Sequence, residues 1–276
     1  MSTLRTVPLC LIVAASLLLM PRSFLRAGGQ ELSPRGFAPP TTFFVPQFGH
    51  GTDQFGNVFS TEINFLNLST SAASVTVATF NDSGQPVNLL RQDVAPQTPP
   101  TSVDETALEI AGSGTARQES LNLAPTTELN LGYAVITSQE PIGVEIIFTI
   151  ETDQGELTST NLKVGPTLNS ASLLGRVQEG GNTGLALLNP PDNPAVTVDL
   201  TFVGTSGVTL DSAEVSLEPG EKMSQFANEL FDDVPPGTFG SIHLMVEDTE
   251  AVAALPLRQD GVELTTQELF NQRSGL

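Results

Sequence analysis

Apolar and polar residues alternate over many short stretches of the chain, and this period of two predicts β-strands. In Val58–Leu68, every second side chain from Phe59 to Phe65 falls on the same side, which is typical of a half-buried strand. Leu129–Thr137 and Gly143–Glu151 give the strongest strand patterns. Turn residues such as Gly, Pro, Asn and Asp separate these stretches, so we expect an all-β protein.

One strand–turn–strand pattern occurs twice, as Thr61–Phe80 and again as Thr183–Phe202. Further matches follow in the same order along the chain: Leu66-Asn67 with Leu188-Asn189, Phe80 with Phe202, Leu123-Ala124-Pro125 with Leu217-Glu218-Pro219, Gly132 with Gly240, and Glu156-Leu157-Thr158 with Glu263-Leu264-Thr265. The repetition predicts an internal duplication with about seven short strands in each copy, the number found in an immunoglobulin-like sandwich. The expected fold is therefore two tandem immunoglobulin-like β-sandwich domains.

The N-terminal residues 1–27 are predicted to be a signal peptide. Arg5 precedes an apolar run of 14 residues, Val7–Met20, and Ala27 supplies a small residue for cleavage. A flexible leader (28–42), a first sandwich (43–163), a second sandwich (164–270) and a tail (271–276) are expected to follow. Residues 91–119 are rich in Pro and Gly, and we interpret them as a partly disordered insertion with one ordered piece at Thr106–Ile110.

The charge excludes one class of partner. The net charge is −20, from 31 acidic and 11 basic residues, and such a field repels phosphate backbones and anionic lipids. We therefore expect no nucleic-acid binding and no membrane insertion after signal removal. Cys10, the single cysteine, lies in the predicted signal peptide, so the mature chain would have no disulfide. A secreted location, extracellular or periplasmic, fits this composition, and divalent-cation binding is the alternative explanation of the charge.

The sequence contains no recognisable catalytic constellation. It lacks a Gly-x-Ser-x-Gly motif, and its two histidines, His50 and His243, are far apart with no cysteine nearby. His243 lies within a strand pattern and is expected to be packed or on a strand surface, whereas Gly49–Gly56 reads as a mobile loop that leaves His50 solvated. The chain has no Trp, and its one Tyr, Tyr133, lies in a predicted core strand, which counts against a sugar-stacking surface. We expect no enzymatic activity and no cofactor.

Two sets of residues remain as candidate sites. The densest acidic groups, at predicted turns, are weak calcium candidates: Asp232, Asp233, Glu247, Asp248 and Glu250. The candidates for an interaction surface form a predicted helical turn beside a proline loop: Asn228, Glu229, Leu230 and Phe231. The alternative for this second set is a plug that covers the end of the sandwich.

The second copy carries a series of short motifs in a fixed order: Leu187-Leu188-Asn189-Pro190, Leu217-Glu218-Pro219-Gly220, Phe226-Ala227-Asn228-Glu229-Leu230-Phe231, Gly240-Ser241-Ile242 and Leu257-Arg258. In these motifs the chain resembles a group of secreted bacterial tandem β-sandwich, immunoglobulin-like repeat proteins of unassigned function. The first copy departs from the pattern, with Leu68 in place of the proline and Thr126 in place of the turn glycine. The resemblance implies a fold and a location, and no chemistry.

These observations together favour a secreted, non-enzymatic structural or protein-interaction module whose partner is an unknown protein or cell-surface component. The first alternative is a cell-surface accessory β-domain protein that binds carbohydrate or calcium. The second alternative is a hydrolase that uses two loop carboxylates, for which the sequence singles out no pair. A calcium-dependent gain in thermal stability would distinguish the first alternative.

Overall fold

The protein is all-β and is built from antiparallel sheets, with a single short helix among the residues described. The computed structural model describes residues 42–95, 99–121, 129–178, 181–247, 249–261 and 263–271. The predicted signal peptide and all of the predicted leader except Thr42 lie outside this part of the chain, as do tail residues 272–276. Thr42 already belongs to the first strand.

The first half of the structure contains ten strands: β1 (Thr42–Thr52), β2 (Val58–Asn67), β3 (Ala73–Asn81), β4 (Leu89–Ala95), β5 (Thr101–Val103), β6 (Glu105–Ile110), β7 (Thr115–Ser120), β8 (Asn130–Ser138), β9 (Ile142–Glu151) and β10 (Leu157–Leu162). They form two layers, with the strand orders β6-β3-β8-β1 and β5-β4-β7-β2-β9-β10. β1 connects the layers, because its main part pairs with β8 and its last residues, Gly51 and Thr52, pair with β2. A bulge between Val45 and Phe48 accommodates Pro46, which cannot donate to a ladder.

The second half contains nine strands and the helix: β11 (Ser170–Val177), β12 (Gly181–Leu188), β13 (Val196–Gly204), β14 (Thr209–Leu217), β15 (Lys222–Phe226), α1 (Ala227–Leu230), β16 (Thr238–Val246), β17 (Ala253–Asp260), β18 (Glu263–Thr266) and β19 (Phe270–Asn271). Its two sheets have the strand orders β14-β13-β16-β11-β19 and β15-β12-β17-β18. Eight strands of the first half correspond in sheet position to eight of the second: β1 to β11, β2 to β12, β3 to β13, β6 to β14, β7 to β15, β8 to β16, β9 to β17 and β10 to β18. The first half adds the β4–β5 hairpin, and the second half adds β19.

Each half encloses an apolar core between its two sheet layers. In the first half, Val75 and Ile136 from one layer meet Ile63 and Phe148 from the other. In the second half, Leu200, Phe202 and Ile242 meet Leu185 and Leu187 in the same way. The alternation in the sequence produces these cores, since the buried residues of β3 and β13 are separated by one residue throughout.

β12 is buried on both faces, and this is how the two halves join. Leu185 and Leu187 point into the second core, whereas Ala186 belongs to the core of the first half. Leu188 forms a third apolar cluster with Tyr133 and Ala253, between the halves. A strand buried on both faces loses the alternation of a half-exposed strand, which explains the continuous apolar run at this point in the sequence.

Residues 91–119, predicted to be a partly disordered insertion, instead supply strands to both layers of the first half. The ordered piece that we expected at Thr106–Ile110 is the core of β6, which pairs with β3. β7 pairs with β2, in the place that β15 occupies beside β12 in the second half. β6 and β7 carry few apolar residues, so their sequence resembles a loop. Only residues 96–98 of the segment lie outside the described part.

The sequence analysis matched Phe80 with Phe202, but in the structure the two residues do not occupy equivalent positions. In β3, Val77 and Thr79 face the core, so Phe80 faces the other way and stacks on Tyr133, with 5.0 Å between ring centroids. Counting from the first buried residue of each strand, Ala73 and Val196, the residue that matches Phe202 is Thr79.

A buried arginine lies beside Thr79. The guanidinium of Arg91, which is 3 % exposed, donates to Thr79 and to the carbonyl oxygens of Val77 and Asp104. Burial lowers the pKa of Arg91 to about 10, although the nearby Asp104 carboxylate opposes the shift. A small pocket of about 10 Å³ adjoins the guanidinium, about the size of one water molecule. The first core is therefore partly polar where the second core holds a phenylalanine.

Candidate functional site

The four residues predicted as an interaction surface divide between a core and a surface. Phe231 is 1 % exposed and packs edge-on against Phe202, with ring centroids 5.5 Å apart. Asn228 and Glu229 are exposed, and Glu229 accepts a hydrogen bond of 2.7 Å from the backbone N–H of Phe226 at the start of α1. Leu230 is half-buried against the second core. Phe231 is thus a core plug, the alternative to an interaction surface, and only Asn228 and Glu229 face solvent.

The weak calcium candidates do not converge. Asp232 and Asp233 are exposed in the turn after α1, and Glu247 is exposed at the end of β16. Glu250 lies on the following turn, while Asp248 is outside the described residues. In the described part of the chain, no group of three or more His, Cys, Asp or Glu residues is placed to hold a metal ion.

The histidines have different environments. His243, predicted to be packed or on a strand surface, lies on the outer face of β16, where Ser172 Oγ is 2.8 Å from its Nδ1 and Ser241 Oγ is 2.9 Å from its Nε2. His50, predicted to be solvated in a loop, is instead 3 % exposed within β1. Burial lowers the pKa of His50 below its usual value. The prediction for His50 failed because β1 continues through the glycines that suggested a loop.

A groove of about 630 Å³ lies between the two halves, and we call it the central groove. Its walls come from β1, β2, β8 and β9 of the first half, and from β12, β15, β17, β18 and α1 of the second. Gly184 and Ala186 lie on its floor, on the face of β12 that is directed at the first half. Because Gly184 has no side chain and Ala186 only a methyl group, a space remains between the two halves at this point. Leu188, two residues beyond Ala186, fills the space between the halves at its own position.

The first-half wall of the groove is aromatic. The rings of Phe59 and Phe148 lie 6.1 Å apart at a tilt of 52°. Gly49 allows this packing, because a Cβ at residue 49 would come within 2.6 Å of the Phe148 ring. Phe55, at the tip of the β1–β2 turn, also lines the groove and is 70 % exposed. Such exposure of a large apolar side chain is unfavourable in water, and it leaves Phe55 available to a ligand.

The mouth of the groove is polar and acidic. Asp53 accepts hydrogen bonds from Phe55 N and Asn57 N, each at 2.9 Å, and from Asn57 Nδ2 at 2.8 Å. Partial desolvation raises the pKa of Asp53, but these hydrogen bonds outweigh it and hold the pKa below the usual value. Glu229 lies across the groove on α1, and the described lining residues include no Lys, Arg or His.

One end of the groove is closed by contacts between the halves. Lys222 Nζ, whose side chain is fully buried, lies 2.8 Å from the Asp82 carboxylate of the first half. Nearby, Tyr133 packs on Leu188 and Ala253, and burial raises the pKa of Tyr133 to about 12. Gln47 and Ser224 face each other across the floor, with Ser224 Oγ donating to Gln47 Oε1 at 3.1 Å.

The strands β10 and β18 join the halves at a second place. The Thr266 hydroxyl donates to the Asn161 carbonyl oxygen at 2.6 Å, and Thr266 N donates to Thr160 Oγ1 at 3.3 Å. The walls of the central groove are therefore held together on more than one side.

The sequence analysis did not predict the central groove. The only local signal is the pair of small residues, Gly184 and Ala186, at alternate positions of an otherwise large-residue apolar strand. The aromatic residues that line the opposite wall, Phe59 and Phe148, come from strands distant in sequence, so no local pattern brings them together.

Comparison of the chain with protein-family models, with curated proteins and with solved structures finds no match in any of the three. Among the residues that the structure describes, no helix has the length and apolar character needed to cross a membrane.

Proposed function

We propose that this chain is an exported, non-enzymatic binding module, made of two duplicated immunoglobulin-like sandwiches, and that the central groove is its ligand site. The observation that carries the proposal is the groove itself, an unfilled volume of about 630 Å³ with an aromatic wall and a polar mouth. Specific ligand sites are commonly concave and mostly apolar, with a few polar groups that orient the ligand.

The equivalent strand order of the two halves supports the duplication, and a buried asparagine in each half supports it further. Asn67 Nδ2 donates to the Ser71 and Ile110 carbonyl oxygens, and Asn189 Nδ2 donates to those of Pro194 and Leu217. Each asparagine thus holds the turn after its strand against the edge strand of the other layer.

The same contacts correct one of the sequence matches. Ile110, rather than Leu123, takes the place of Leu217 in the first half. Residues 123–125, which the sequence comparison aligned with residues 217–219, lie outside the described part of the chain.

Gly132 and Gly240 support the duplication in the same way. They pair with Asn81 and Gly204 at equivalent places, next to a neighbouring backbone that leaves no room for a side chain. A glycine is needed at such a close approach of two strands. The match between these glycines, which the sequence suggested, is therefore explained by packing.

The binding proposal can be tested with a variant that fills the groove. Ala186→Leu places a larger apolar side chain on the groove floor, and Leu174→Ala is a matched control on an exposed strand position away from the groove. A mixed set of short peptides, oligosaccharides and apolar small molecules is screened for an increase in Tm of the wild-type protein. We expect the ligands found to raise the Tm of wild type and of Leu174→Ala, and to have no effect on Ala186→Leu.

Two results would contradict the proposal. Ligands that stabilise Ala186→Leu as much as wild type bind somewhere other than the groove. A rise in Tm on addition of calcium alone would favour the alternative of a calcium-binding accessory domain.

A further inference from the structure

The central groove has the chemistry of a site for one class of ligand, and this step rests on the function proposed above. We infer that the groove binds an extended peptide segment in which apolar side chains alternate with lysine or arginine. The apolar side chains would contact the aromatic wall, and the basic side chains would lie at the acidic mouth.

The mouth carries negative charge that the protein itself does not neutralise. Asp53 and Glu229 accept hydrogen bonds from neutral N–H groups, and neither belongs to an ion pair of the described residues. The whole chain has a net charge of −20, so the surrounding field has the same sign as the mouth. An anionic ligand is disfavoured by both, and a ligand with cationic groups is favoured.

An edge strand offers backbone hydrogen bonds to an extended chain. β15 is at the edge of its sheet and lines the groove with Ser224, Gln225 and Phe226. Lys222 N donates to the Asp82 carbonyl oxygen and Phe226 N donates to the Glu229 carboxylate, so both N–H groups point away from β12. Backbone groups alternate in direction along a strand, so the N–H and C=O of Ser224 also point away from β12. An extended peptide could pair there, as in β-strand addition.

The side chains along the groove match the two faces of such a peptide. Successive residues of an extended chain point to opposite sides, so a peptide with alternating character presents one apolar face and one polar face. Phe59, Phe148 and Leu257 form an apolar surface for the first face. The carboxylates of Asp53 and Glu229 are available to the second face, together with the side-chain oxygen of Gln259, whose amide N–H already donates to the Gly261 carbonyl oxygen.

The test uses defined peptides and the full chain. A fluorescein-labelled peptide of alternating phenylalanine and lysine is titrated by fluorescence anisotropy, beside twins in which glutamine or glutamate replaces every lysine. We expect the lysine peptide to bind about tenfold more tightly than the glutamine peptide at low salt, and to lose most of this advantage at high salt. The glutamate peptide is expected not to bind.

A charge-neutralising pair of substitutions locates the effect. Asp53→Asn with Glu229→Gln keeps side-chain oxygens that accept the local backbone hydrogen bonds and removes both charges. We expect this double variant to bind the lysine peptide as weakly as the glutamine peptide, whose own affinity should not change. The matched control, Asp192→Asn with Glu214→Gln, removes two exposed charges outside the groove and should leave every affinity unchanged.

The outcomes distinguish this inference from the function on which it rests. Equal affinities of the lysine and glutamine peptides, or no effect of the Asp53 and Glu229 substitutions, would overturn the inference. If no peptide binds but the neutral dye Nile red does, and Ala186→Leu excludes the dye, the groove is a site for small apolar molecules. The peptide inference then fails while the binding function stands. If neither a peptide nor the dye enters the groove, both proposals fail.

Discussion

The ion pair between Lys222 and Asp82 joins the two halves, and its removal should destabilise the fold in an asymmetric way. The Lys222 side chain is fully buried, whereas the Asp82 side chain is 52 % exposed, and Nζ lies 2.8 Å from Oδ1. Burial lowers the pKa of Lys222, and the charge and hydrogen bond of Asp82 offset this shift only in part. Asp82→Ala would therefore leave a charged group buried with no counter-ion, while Lys222→Met would remove the charge and keep most of the packing.

The magnitude follows from the geometry. At the separation of 2.8 Å, two unit charges attract by roughly 6 kcal/mol at an effective dielectric constant of about 20, and solvent at the exposed carboxylate reduces this value. Breaking a buried pair by removing one partner costs about 3–5 kcal/mol, so about 3 kcal/mol is expected for Asp82→Ala. That loss lowers the Tm by about 6–12 °C for a chain of this size. Lys222→Met should cost less than about 1 kcal/mol.

Urea and thermal unfolding of wild type, both single variants and the double variant, followed by circular dichroism, complete a double-mutant cycle. In the Lys222→Met background, Asp82→Ala should have almost no further effect on stability, because the buried Lys222 ammonium that it would leave without a counter-ion is no longer present. The reasoning would be refuted if Asp82→Ala cost the same in both backgrounds, since its effect would then come from the turn that contains residue 82. It would also be refuted if Lys222→Met were the more damaging single change.

Three further predictions concern particular positions. Gly132→Ala would place a Cβ against the Phe80 carbonyl oxygen and should cost about 3 kcal/mol, whereas Gly165→Ala, with nothing within 4 Å, should be neutral in the same urea titration. Phe231→Ala should cost about 3–5 kcal/mol as a core deletion, and the exposed Phe270→Ala less than about 0.5; equal losses would show that residue 231 is no plug. For His50, burial lowers the folded-state pKa, so protons bind the unfolded chain first as the pH falls below about 6.5, and stability is lost in that window. The Tm of His50→Gln should therefore fall less than that of wild type between neutral and mildly acidic pH. An equal fall in Tm for both proteins would contradict this.

The strands buried on one face were predictable because their alternation is local. β2, β3, β8 and β9 coincide closely with the predicted strands, and the predicted helical turn is confirmed as α1. β6 and β7 were harder to recognise. β6 lies at a sheet edge, where a strand needs only a few buried residues and otherwise carries the polar composition of a loop. β7 lies between β4 and β2, but two of its three buried residues, Gln118 and Ser120, are polar.

The remaining errors come from contacts between residues distant in the sequence. His50 looked solvated because its neighbours are glycines, but Gly49 allows β1 to pack closely against the Phe148 ring, and β1 continues through both glycines. Phe80 was matched to Phe202 by residue type, although the core position in the first half belongs to Thr79 beside Arg91. Only the three-dimensional packing shows which face of a strand is shared with a second unit, and the central groove depends on that face.

The double burial of β12 also bears on how the chain folds. Ala186 and Leu255 complete the core of the first half, although they follow in the chain after its last strand. The first half therefore leaves the ribosome with part of its core missing and gains full stability only when the second half docks onto it. Neither half has a free energy of unfolding that is independent of the other, so the described strands should melt in one cooperative transition rather than two.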